Sequence, residues 1–158
     1  MVIKTFKDNI TLSDEIISEI GKFTVLWALF ELNFCKNNCV EGTLEIIYDK
    51  ISISSENLKC LSKVIKDRAY IQRLLLKEYV DEGLHPENSR NSSEKRKIEM
   101  KDFIEDPSQN HILGCLLIIR RIRNNLMHGL KNIMMLDDQM KLFVAANQIL
   151  EEIRWKNE

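Results

Sequence analysis

The sequence predicts an all-α, single-domain bundle of four main helices with one or two short ones. Three observations predict it. Apolar residues recur at three- and four-residue spacing over long stretches, the period of helices that each bury one face. Two prolines and five glycines in 158 residues are too few turn-formers for a many-stranded sandwich or barrel. A chain of this length, 44% apolar and 30% charged, suits one domain with a real core and is short for two.

The first helix is expected from Ser13 to Lys36. Ser13 is a good N-cap, and Asp14 and Glu15 place acids where the helix dipole favours them. Ile16, Ile20, Phe23, Leu26, Trp27, Phe30 and Phe34 form its buried face, and Asn37-Asn38 reads as its end. A short helix over Glu41–Lys50 follows, then a loop, although Ile51 and Ile53 alternate with serines as an extended segment would. A second long helix is expected from Ser55 to Tyr79, with Leu58, Leu61, Ile65, Ala69, Gln72, Leu75 and Tyr79 facing inward. Residues 83–97 are polar and turn-rich and read as a mobile loop, with a short helix over Ser93–Ile104.

Asp106-Pro107 has the form of an N-cap followed by proline at the first helical position. The helix it opens is expected to reach His128, with Gly129 as its stop. Its apolar seam is Ile112, Leu116, Ile119, Ile122 and Leu126. A last helix should cover Asp137–Lys156.

Composition also bounds the setting. Met1–Ile10 lacks the apolar centre of a signal peptide. The longest apolar run, Phe23 to Phe34, is interrupted by Glu31 and Asn33, so no membrane association is expected. A cytoplasmic location follows, and with it four reduced thiols at Cys35, Cys39, Cys60 and Cys115. Cys35 and Cys39 are spaced to share a helix face, but zinc would need two more ligands and no second pair is present. No metal and no cofactor are expected.

The net charge of −1 hides an asymmetry. Residues 1–58 carry −4, residues 59–131 carry +5 and residues 132–158 carry −2. The middle of the chain is therefore where a polyanion would bind, although a mixed-charge helix surface has the same composition.

Within it lies Arg120-Arg121-Ile122-Arg123-Asn124-Asn125-Leu126-Met127-His128-Gly129. Cations in a last helical turn complement the dipole, and that alone can explain three arginines and a histidine. Two weak helix formers, Asn124 and Asn125, in the same turns suggest amides wanted for hydrogen bonding. Arg123 and His128, five residues apart, point about 140° away from one another on a regular helix. Asn124, four residues before His128, shares its face. One segment does not readily aim both groups at one phosphate, whereas two segments about a twofold axis do.

Arg123-Asn124-x3-His128 resembles the Arg-x4-His signature of the HEPN family. The resemblance is sharp over Ile118–Lys131 and diffuse elsewhere, extending to Trp27 and Glu31, which are similar to an aromatic and an acid of several HEPN groups. It implies a dimeric bundle of four to five helices whose two motifs meet in a cleft at the interface. It further implies a metal-independent endoribonuclease that leaves a 2′,3′-cyclic phosphate, acting as a toxin or defence effector with RNA as substrate. HEPN toxins silenced by a partner nucleotidyltransferase carry a tyrosine two places after the histidine. Here that place is Leu130, so control by tyrosine adenylylation is not expected, while another cognate inhibitor or defence partner stays open.

In such a reaction RNA supplies its own nucleophile, the 2′-hydroxyl. A histidine titrates near neutrality, so His128 suits the proton transfers. Arg123 keeps its charge and can fork onto phosphate oxygens, and Asn124 can orient the imidazole. Arg120 and Glu31 are supporting candidates, with a solvated cation and an acid at the edge of the buried stripe as their plainer roles. His85 and His111 read as surface or structural residues. The competing reading is a non-catalytic HEPN-like module that binds RNA, a nucleotide or a protein partner.

Overall fold

The computed structural model describes residues 1–4, 9–76, 86–128 and 139–157; within these, the side chains of Ile3, of residues 86–93 and of Met127 and His128 are outside the description. Two short strands open the chain, β1 (Val2–Lys4) and β2 (Asn9–Thr11), antiparallel with Val2 opposite Thr11. Helix α1 (Asp14–Phe34) then starts where the sequence places it, its first turn capped by Ser13, whose Oγ accepts from the Ile16 amide at 3.2 Å. Such a cap is worth about 1 kcal/mol. Ile16, Phe23, Trp27 and Phe30 are buried along one face of α1.

The chain continues through α2 (Glu41–Ile47), a 3-10 turn at Tyr48–Lys50, β3 (Ile51–Ser52), α3 (Ser55–Lys66), α4 (Ala69–Leu76), α5 (Pro86–Glu105), a second 3-10 turn at Gln109–His111, α6 (Ile112–His128), α7 (Met140–Glu152) and β4 (Arg154–Trp155). The architecture is all-α, with two minor antiparallel strand pairs among the described residues. Helix α1 lies along α7, where Phe23 meets Phe143 edge-on with ring centroids 5.6 Å apart. Helix α3 packs between α7 and α5, and α5 lies along α6. The α5–α6 crossing is close: a Cβ added at Gly114 would stand 2.1 Å from the Glu99 carbonyl oxygen. No described helix is long and apolar enough to cross a membrane.

Several sequence expectations are corrected. The helix expected over Ser55–Tyr79 breaks at Asp67 and Arg68, and Tyr79 lies outside the described residues. The break changes the helical phase. In an unbroken helix Ile71 would sit about 240° around from Ile65 and leave the core; after the break Ile65, Ile71 and Leu75 are all buried, and Ala69 is exposed.

The loop expected over 83–97 is helical from Pro86 onward, while 83–85 lie outside the described residues. Pro86 suits a first helical position, and nothing from Glu87 to Glu105 is proline or glycine. The segment hid its helix because it has almost no apolar stripe before Ile98. Asp106-Pro107 is a turn, with α6 preceded by the 3-10 turn rather than opening at Pro107.

The last helix stops at Glu152, and Arg154–Trp155 pairs with Ser52 and Ile51. Trp155 packs on Phe34, centroids 4.7 Å apart, which holds the chain end extended. The serine-spaced isoleucines Ile51 and Ile53 are both buried, so that alternation was a strand signal. Cys35 and Cys39, expected as free thiols, form a disulfide with Cα atoms 5.1 Å apart. The turn after α1 brings them face to face: the Asn37 amide reaches back to the Glu31 carbonyl at 2.8 Å, with Lys36 and Asn37 both at positive φ.

Candidate functional site

The basic segment lies on α6 as far as His128, and its three arginines have different surroundings. Arg120 turns toward the α1–α2 connection. Its Nε donates to the Cys39 carbonyl at 3.0 Å and its Nη1 to Glu41 Oε1 at 2.8 Å. Glu41 is the first residue of α2 and is buried; its other oxygen faces Arg96 of α5 at 3.7 Å, and Arg96 also pairs with Glu45 at 3.3 Å. One carboxylate thus joins α2, α5 and α6.

Arg121 turns toward α4. Its Nε donates to the Leu75 carbonyl at 3.2 Å, and Asn125 Nδ2 reaches the Leu74 carbonyl at 3.4 Å. These acceptors are backbone carbonyls of α4. Burial draws the Arg121 guanidinium below the ordinary arginine value, Glu41 opposes that shift and Arg120 adds to it. Arginine stays charged through such a change.

Arg123 is half-buried, and its Nη1 donates to Asn124 Oδ1 at 3.2 Å. Among the described residues no carboxylate forms an ion pair with it. The structure therefore separates three arginines that look alike in the sequence. Arg120 and Arg121 hold helices together, while Arg123 meets an amide and forms no ion pair among the described residues. The two asparagines divide in the same way: Asn125 reaches the backbone of α4 and Asn124 contacts Arg123.

The backbone of α6 is helical through His128, whose side chain lies outside the described residues, as do Gly129 and Leu130. Glu31 accepts a hydrogen bond from the Trp27 indole one turn earlier on α1. The two residues singled out on α1 are thus partners of one another, and no ion pair joins Glu31 to Arg123. His111 sits 3.4 Å from Asp106, in the turn that precedes α6, and His85 lies outside the described residues.

Sequence reasoning passed over Glu41. An acid at the head of a short helix looks like ordinary dipole complementarity, and only the approach of α5 and α6 reveals it as a shared anchor. Its signal was faint: a single carboxylate at the edge of a segment otherwise read for its apolar positions.

Among the described residues no three histidine, cysteine or acidic side chains gather as metal ligands. The chain matches no protein-family model, and searches of curated proteins and of solved structures return no match.

Proposed function

We propose that the chain is a metal-independent endoribonuclease of the HEPN type, working as a homodimer in which two Arg123–His128 segments face one another across a twofold axis. Its role would be that of a toxin or defence effector in the cytoplasm. The observation that supports this reading is the contrast among the arginines. Arg123, the one that fills the Arg-x4-His pattern, lacks a partner acid among the described residues, while its neighbours Arg120 and Arg121 are bound to the fold.

The chemistry runs through the substrate's own 2′-hydroxyl. That oxygen attacks the adjacent phosphorus as its proton leaves, the P–O5′ bond breaks, and the departing oxygen takes up a proton. His128 of one copy or the other serves these transfers. Arg123 stabilises the charge gathering on the non-bridging oxygens, and Asn124 fixes the guanidinium it contacts.

Cleavage of a mixed RNA pool in EDTA tests the proposal, comparing the wild type with His128→Ala and Arg123→Ala after folding and oligomeric state are matched. EDTA-resistant cleavage with cyclic-phosphate ends, lost in both variants, is the expected result. A folded wild-type dimer that leaves RNA intact overturns it in favour of a binding module without chemistry.

A further inference from the structure

Helix α1 is apolar on two opposite sides, and the fold uses one. Phe23, Trp27 and Phe30 face the core. Val25, Leu29 and Leu32 remain 60%, 47% and 57% exposed. Val25 lies about 200° around the helix from Phe23, so the open side is the reverse of the packed side. Ser18, Gly21 and Ala28 are exposed on the same side, and the space beyond Gly21 is empty for 4 Å around a built Cβ. Ser18, Gly21, Val25, Ala28 and Leu32 follow alternating steps of three and four residues, the spacing of a helix-pairing seam. Between Ser18 and Leu32 no charged residue falls on that seam. Lys22 and Glu31 flank it, and each is engaged elsewhere, with Glu151 and with Trp27.

We infer that this open face of α1 pairs with the same face of a second copy, antiparallel, about a twofold axis at Val25. The register follows from shape and charge. Residues equally far from Val25 on either side become neighbours across such an axis. Gly21 then meets Leu29 and Ser18 meets Leu32, so both leucines fall against small residues, while Val25 meets its own copy at the axis. At the ends of the seam, Asp14 meets Lys36; both are exposed, and α1 has no other basic residue near its C-terminal end. A parallel pairing would instead set like against like at every position. The acids at the N-terminal turn and the lysine beyond the last turn also suit antiparallel helix dipoles.

One helix pair falls short of the roughly 1,600 Å² of a standard interface, so the association is weak and concentration-dependent. It rests on the surface of α1 alone and is independent of any RNA chemistry.

Sedimentation of the full chain up to roughly 100 µM tests it, a range that populates a dimer of micromolar Kd. Val25→Glu is expected to remove one association step while leaving the circular dichroism spectrum unchanged, since the side chain contributes little to the core. Val25→Cys, made with Cys60→Ser to remove the exposed native thiol, is expected to oxidise to a covalent dimer, because that residue meets itself at the axis. Lys59→Cys in the same background serves as a control and should remain monomeric on non-reducing gels. A chain that stays monomeric across the range overturns the inference. So does a dimer that Val25→Glu leaves intact and Val25→Cys does not cross-link, which would locate the contact elsewhere, as at the Arg123–His128 segment.

Discussion

Arg120 and Glu41 meet at 2.8 Å across 79 positions of sequence, and through them the helix that carries the basic segment is fastened to the start of α2. The contact matters because Glu41 also faces Arg96, so two cations from different helices depend on one buried carboxylate. Removing the shared carboxylate takes an acid from both cations, while Arg96 keeps Glu45 and Arg120 keeps the Cys39 carbonyl. Glu41→Gln should therefore lower unfolding free energy by about 1–3 kcal/mol. Urea denaturation checks this, and a change below 0.5 kcal/mol, the size of an ordinary surface substitution, would contradict it.

The division among the arginines predicts opposite phenotypes for adjacent substitutions. Arg120→Ala should destabilise the fold, because Cys39 and Glu41 lose a donor. Arg123→Ala should leave the melting temperature within a degree or two of wild type and, if the proposed chemistry holds, reduce RNA cleavage by roughly 10²–10³-fold. Arg123→Lys separates charge from shape. Lysine retains the charge and loses the planar fork, so most of the activity should still be lost.

Thiol chemistry should follow burial. Cys60 is exposed, Cys115 is buried and Cys35 is bonded to Cys39. Burial pushes the Cys115 thiol far up, which keeps it neutral and unreactive at ordinary pH. Iodoacetamide should label Cys60 alone in the native protein, add Cys115 on unfolding, and reach Cys35 and Cys39 only after reduction. Mass spectrometry of the peptides reads the order, and early labelling of Cys115 would refute its placement.

Lys36 and Asn37 adopt φ values of 50° and 70°, in the left-handed region where a side chain costs about 1 kcal/mol. Glycine has no such cost. Lys36→Gly should therefore raise stability by roughly 0.5–1 kcal/mol, less whatever its freedom in the unfolded chain returns. The Cys35→Ser/Cys39→Ser double variant should fall in the opposite direction, since the disulfide closes that turn. Thermal melts in matched buffers decide both signs.

Gly114 predicts a steric limit. A methyl group there would overlap the Glu99 carbonyl, which is backbone and has nowhere to go unless α5 moves as a body. Gly114→Ala should cost about 1–3 kcal/mol, the range for overpacking, despite alanine's better helix propensity. A stabilised variant would show that the two helices do not approach so closely.

The sequence by itself determined the class of the fold and much of its core. Ser13 marked the start of α1, and the helical spacing of Ile16, Phe23, Trp27 and Phe30 marked its buried face, because capping and amphipathic periodicity are local properties. It also drew attention to Arg123 and Asn124. Tertiary structure decided what local pattern cannot carry. The break at Asp67 exists because Ile71 must find the core, and β4 exists because Trp155 meets Phe34 and Arg154 pairs beside Ser52. The disulfide depends on a turn that brings Cys35 to Cys39. Most of all, the three arginines are alike in sequence and unlike in the fold, since a guanidinium's role is set by the acceptors that distant helices present to it: Glu41 for Arg120, Leu75 for Arg121, and for Arg123 the amide of Asn124.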